Sequence, residues 1–126
     1  NKMSAPNLAS ITTITAKTGL TALSDTSATT LLSNAASSGK AFKLSSLYVC
    51  NVDGTSNADI TIKVHSAAAG GGTGFAIAST IVVPADGSAV IIDKNSPIYL
   101  EEDKSLVATA SAGGDLECVL SYEELS

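Results

Sequence analysis

The chain has 126 residues, a length that points to one domain with room for one hydrophobic core. Its net charge is -5, from 12 acids and 7 lysines with no arginine, which argues against a nucleic-acid binder that needs a basic footprint. No run of 18 or more apolar residues is present, so no helical membrane span is expected. Charged residues make up 15% and hydrophobic ones 44%. Charge is thus well below the roughly 25% of ordinary domains. About two-fifths of the residues are Ala, Ser or Thr. Such small side chains suit either a surface covered by neighbours or a plain Ser/Thr-rich solvent face.

Residues 1–15 are polar, with Pro6 blocking an early helix, and read as an extended N-terminal arm before a domain over 16–126. The segment 1–6 (NKMSAP) lacks an apolar signal-peptide core, and Met3 reads as a candidate natural start. Next comes a Thr-rich stretch, Leu20 to Leu32, in which Thr29, Thr30, Leu31 and Leu32 favour strand over helix. Residues 34–40 (NAASSGK) form a loop. Phe42 and Leu44 then alternate with Lys43 and Ser45, and residues 47–52 (LYVCNV) make a near-continuous apolar, central strand. After a turn at 53–57 (DGTSN), Ile60, Ile62 and Val64 alternate with polar neighbours. These two runs are expected to pair as a hairpin.

Residues 67–74 (AAAGGGTG) read as a flexible loop tip, and Phe75 to Val83 as a returning strand. Pro84-Ala85-Asp86-Gly87 is a turn. Short strands follow at Ala89–Ile92 and Pro97–Leu100, then a charged turn at Glu101-Glu102-Asp103-Lys104. Leu106, Ala108 and Ala110 alternate with Val107 and Thr109; Leu116, Cys118, Leu120 and Tyr122 alternate with Glu117, Val119, Ser121 and Glu123. Eight or nine short strands and no convincing helix predict an all-β fold, a single antiparallel β-sandwich or jelly-roll-like domain. Its sheet edges need management, and pairing with an adjacent subunit is one solution.

The candidates for chemistry are few. His65 is the sole histidine and reads as solvent-facing. Ser66 beside it points to the opposite face of the strand, so the two form no nucleophile–base pair. Gly70 to Gly74 lacks the Gly-Lys-Ser/Thr ending and the helix of a phosphate loop. Asp53 to Asp59 spaces oxygen ligands but misses the glycine and the distal glutamate of a calcium loop, so a turn with local Asp/Asn hydrogen bonds is preferred. Glu101-Glu102-Asp103 and Glu123-Glu124 read as solvated acids rather than a glycosidase pair flanking a cleft. Cys50 and Cys118 sit in no metal-ligand spacing. They read as small buried apolar residues, or as a disulfide if their strands are neighbours. With no Trp, and with Tyr48, Tyr99 and Tyr122 in or beside apolar runs, a glycan-binding module is a second choice. No catalytic residue, cofactor or metal site is assigned, and the chain is expected to be no enzyme.

The opening Met3 to Leu8, the segments Thr29 to Lys40 and Leu47 to Asp59, the Val83-Pro84-Ala85-Asp86 turn, Ile98 to Leu106 and Leu120 to Leu125 together resemble small virion proteins of tailed bacteriophages of aquatic and cyanobacterial hosts. Those relatives often have Glu-Gly-Asp where this chain has Glu102-Asp103-Lys104. The resemblance implies a structural virion subunit assembled in the host cytoplasm. Its expected place is the capsid, as a decoration (cement) protein bridging subunits of the major capsid protein. The neck, collar or tail is the alternative. It also implies a homo-oligomer, while the acidic balance and the lack of a long apolar run argue against a nucleic-acid or membrane partner.

Overall fold

The computed structural model describes residues 6–126. Among them run nine strands: β1 (Ile14–Leu23), β2 (Thr29–Asn34), β3 (Ala41–Asn51), β4 (Ala58–His65), β5 (Gly74–Val83), β6 (Ser88–Ile92), β7 (Ile98–Leu100), β8 (Lys104–Ala110) and β9 (Leu116–Leu125). Two single 3-10 turns, Leu8–Ser10 and Ala68–Gly70, complete the regular structure. One sheet has the order β1-β9-β3-β6 with β7 beside β3; the other has β2-β8-β4-β5. All pairings are antiparallel. The two sheets stack as a β-sandwich, and the chain shuttles between them in the manner of a jelly roll.

Period-two alternation builds the core. Leu116, Cys118 and Leu120 of β9 are buried while Glu117 and Val119 are exposed. Leu106, Ala108 and Ala110 of β8 face them from the opposite sheet, all at 2% exposure or less. Strand β3 joins what the sequence presents as two segments. Leu44 and Leu47 are both fully buried although three residues apart. A bulge between Leu44 and Ser46 absorbs the extra residue and restores the facing. Each fully buried Leu or Ile contributes roughly 1.5–3 kcal/mol from burial.

The expected hairpin of residues 47–52 with 60–64 does not form. β3 and β4 lie in different sheets, and the connection between them crosses the end of the sandwich. Both strands turn their apolar faces inward, so facing each other across the core buries more than lying side by side. Asn51 holds the crossing. Its buried amide donates to the Ser56 carbonyl at 2.9 Å and the Val83 carbonyl at 3.0 Å, and its Oδ1 accepts from the Asp53 amide at 2.9 Å.

Strand β1 begins at Ile14, within the stretch read as an arm. Just before it, the Thr12 and Thr13 amides donate to the Ser126 carbonyl at 3.0 and 2.9 Å. The preceding turn at Leu8–Ser10 is capped by Asn7, whose Oδ1 accepts from the Ala9 amide at 3.0 Å. Residues 1–5 of the arm lie outside the described residues. At the charged turn, Asp103 adopts φ 58°, a left-handed conformation that glycine takes more readily.

Candidate interaction surface

The segment read as a flexible tip is instead folded back over the β2-β8-β4-β5 sheet. The Ala68 amide donates to Asp103 Oδ1 at 3.1 Å, Ala69 N–H to Ser33 Oγ at 2.8 Å and Gly70 N–H to Ser105 Oγ at 2.9 Å. Gly70 has φ +74°, and a Cβ there would come within 3.3 Å of Thr30 Oγ1, so glycine lets the turn lie flat. Under this cover the outward-pointing Ser105 and Val107 are buried.

Each candidate for chemistry has a local role. His65 Nδ1 lies 3.1 Å from the Gly71 carbonyl, and Ser66 Oγ accepts from the Thr73 amide at 2.9 Å. Both serve the β4–β5 connection. Asp53 Oδ1 accepts from the Thr55 amide and hydroxyl, both at 2.8 Å, which holds its carboxyl below the usual range. Glu124 bridges Lys17 at 3.0 Å and Lys40 at 3.4 Å, and the Lys17 hydrogen bond lowers its pKa. Glu101 pairs with Lys104 at 3.5 Å, and Glu102 is buried, accepting from the Gly39 amide. No group of three or more His, Cys, Asp or Glu side chains is placed to hold a metal ion among the described residues.

Cys50 and Cys118 lie on neighbouring strands, yet both thiols are free. Cys50 is register partner to Glu117 and Val49 to Cys118, so parity sends the two side chains to opposite faces. Cys118 is buried, and burial pushes its thiol pKa up to about 11. Cys50, expected inside, is exposed.

Cys50 belongs to the outer face of the β1-β9-β3-β6 sheet, the most distinctive surface of the molecule. Register makes Leu20, Val119, Tyr48 and Val90 successive cross-strand neighbours. They are 76%, 38%, 48% and 56% exposed, an apolar row across all four strands. Toward one end the next row is Ala22, Glu117, Cys50 and Ser88; toward the other it is Thr18, Ser121 and Ser46, then Ala16, Glu123, Lys43 and Tyr99. At that second end a hollow of about 280 Å³ is lined by Leu8 and Ile11 together with Lys43, Tyr99, Glu123 and Leu125. A further hollow of about 470 Å³ lies beside Tyr48, lined by Ser45, Ser46, Asp93, Lys94 and Asn95. Edge strand β5 exposes Phe75, Ile77, Ile81 and Val82.

Charge is divided unevenly between the two ends of the sandwich. The loops joining β1–β2, β3–β4, β5–β6 and β8–β9 gather at one end with Asp25, Asp53, Asp86 and Asp115 and no lysine. All lysines of the described residues lie in the other half.

The sequence signal for the row was faint. Leu20 lies in a Thr-rich stretch with no clear alternation, and Tyr48 lies in a near-continuous apolar run, whose continuity betrays apolar residues on both faces.

No family model and no curated protein matches the chain. The solved structures that share its fold include a pilus subunit and a chain of a viral particle. One is a subunit of Bacillus endospore appendages, described as a family of disulfide-linked pili, with 19% identity, a TM-score of 0.52 and coverage of 90% of this chain and 88% of that one. The other is a chain of the T13 IBDV viral particle, with 10% identity and a TM-score of 0.50 over 89% of this chain. Its own chain is longer, and the match spans 31% of it.

Proposed function

We propose that this chain is a non-catalytic structural subunit of a virion, a decoration protein on the capsid of a tailed phage. The observation that carries the reading is the apolar row Leu20, Val119, Tyr48 and Val90. An isolated soluble domain has no need of an aligned apolar row across one whole sheet, whereas a subunit covered by neighbours does. The fold it shares with a pilus subunit and a viral-particle chain supports the same reading, as does the resemblance to small phage virion proteins. The mechanism is passive. A subunit that binds only the assembled lattice raises the free energy needed to rupture it, and several copies around a symmetry axis add avidity.

The test is absolute mass by light scattering, alone and after mixing with empty phage capsids. Saturable co-migration with capsids is the expected result. An oligomer that ignores capsids moves the assignment to the neck or tail. A second reading, a glycan-binding module, draws on half-exposed Tyr48 beside its polar hollow. A glycan array without hits removes it.

A further inference from the structure

We infer that the outer face of the β1-β9-β3-β6 sheet docks against the same face of a second copy, about a two-fold axis running along the strands between β9 and β3. This rests on the structural-subunit reading and names the first neighbour of that subunit.

The argument is one of complementarity under a single operation. A two-fold along the strands exchanges β9 with β3 and β1 with β6 and leaves each row facing itself. Val119 of one copy then lies over Tyr48 of the other, and Leu20 over Val90. Ser121 lies over Ser46, a flat contact of small side chains. One row further, Lys43 and Glu123 are register partners on the two central strands. Neither enters an ion pair within the chain among the described residues. The operation sets Lys43 of each copy over Glu123 of the other, giving two reciprocal charge pairs across the interface. Turning the second copy end for end instead brings the Glu117 row over the Glu123 row and opposes like charges. The aspartate-bearing loops stand at the end of the sandwich, off the contact.

Scale sets the strength. The open part of the face runs from Ala22 to Ala16 on β1, about 23 Å of strand, across four strands spaced about 4.8 Å apart, or roughly 450 Å² per copy. A stable specific pair needs about 800 Å² per partner. The dimer is therefore weak and concentration-dependent in isolation, and is held in an assembly by further contacts.

The experiment is sedimentation equilibrium of the full chain over a wide concentration range, with melting temperatures confirming that every variant is folded. Wild type is expected to show reversible dimerisation. Lys43→Glu and Glu123→Lys are each expected to weaken it about tenfold or more. An equimolar mixture of those two variants is expected to regain wild-type affinity, because the mixed pair restores opposite charges at both crossings. No effect within one chain can produce that rescue. Val119→Lys is expected to abolish dimerisation. Singles that dimerise like wild type, a mixture no tighter than its components, or a dimer lost on Phe75→Lys but kept on Val119→Lys each overturn the inference. So does a wild type that stays monomeric at millimolar concentration. If that monomer still coats capsids, the face serves another partner and the structural reading stands; if it binds no virion component, both fall.

Discussion

The two sheets obey the same alternation but end with different outer faces. On the β2-β8-β4-β5 sheet, the outward-pointing Val107 is 4% exposed, because the Ala68–Gly70 turn is bonded down over it through Ser33 and Ser105. On the β1-β9-β3-β6 sheet, Val119 also points outward, but nothing of the described chain covers it or its row. Alternation therefore tells which residues leave the core. It does not tell which of them meet solvent. The covered face carries a loop bonded to buried hydroxyl partners, and the open face leaves its apolar residues exposed.

Several measurements break or sharpen this contrast. The strongest concerns the two faces of one sheet. A thiol reagent applied to the native protein should label Cys50 and leave Cys118 unmodified until unfolding, since burial and a raised pKa keep Cys118 a protonated, inaccessible thiol. Rapid labelling of both would mean that the sheet does not hold its parity. Next, Leu106→Ala and Leu120→Ala, which approach the core from opposite sheets, should each cost about 3 kcal/mol in chemical denaturation. A much smaller loss on one side would show that the sheets do not share one core. Asn51→Ala should cost about 2 kcal/mol, because it strips the Ser56 and Val83 carbonyls of their buried donor.

The covered and open faces are compared directly by Val107→Ala and Val119→Ala. The first should cost about 1.5 kcal/mol of stability. The second should cost less than about 0.5 kcal/mol in the monomer. Equal losses would erase the distinction. The smallest effect is expected at the Lys17–Glu124–Lys40 cluster on the rim. Glu124 has a lowered pKa in the fold, so its contribution is present above the unfolded value of about 4.5 and is lost as pH falls through the lower folded value. Glu124→Gln should therefore narrow the difference in melting temperature between pH 6 and pH 3, and an unchanged difference would deny the cluster a role.

Much of the fold was legible in the residues themselves. The alternations at 60–64, 106–110 and 116–122 report the inward faces of β4, β8 and β9 correctly. The turns at 53–57 and 84–87 are where proline, glycine and Asx chemistry place them. The buried polar groups were not legible. Asn34 reads as an ordinary loop residue and Asn51 sits within the apolar run 47–52, yet their amides close connections from inside the sandwich, Asn34 by donating to the Lys40 and Leu100 carbonyls at 2.8 and 3.0 Å. Their second acceptors, Leu100 and Val83, are 66 and 32 residues away in sequence. The polar partner that makes such an asparagine valuable is invisible to any local pattern.

By itself the sequence determined the all-β class and the inward or outward sense of most strand positions, because the pleat reverses the side chain at every residue and needs no distant information. Only the tertiary structure decided which strands share a sheet, that Cys50 and Cys118 are neighbours facing opposite ways, and that Leu20, Val119, Tyr48 and Val90 form one row. Those outcomes depend on register between strands far apart in sequence, such as Leu20 with Val119. Register is set by the summed burial of both sheets, a quantity that no single stretch of chain carries.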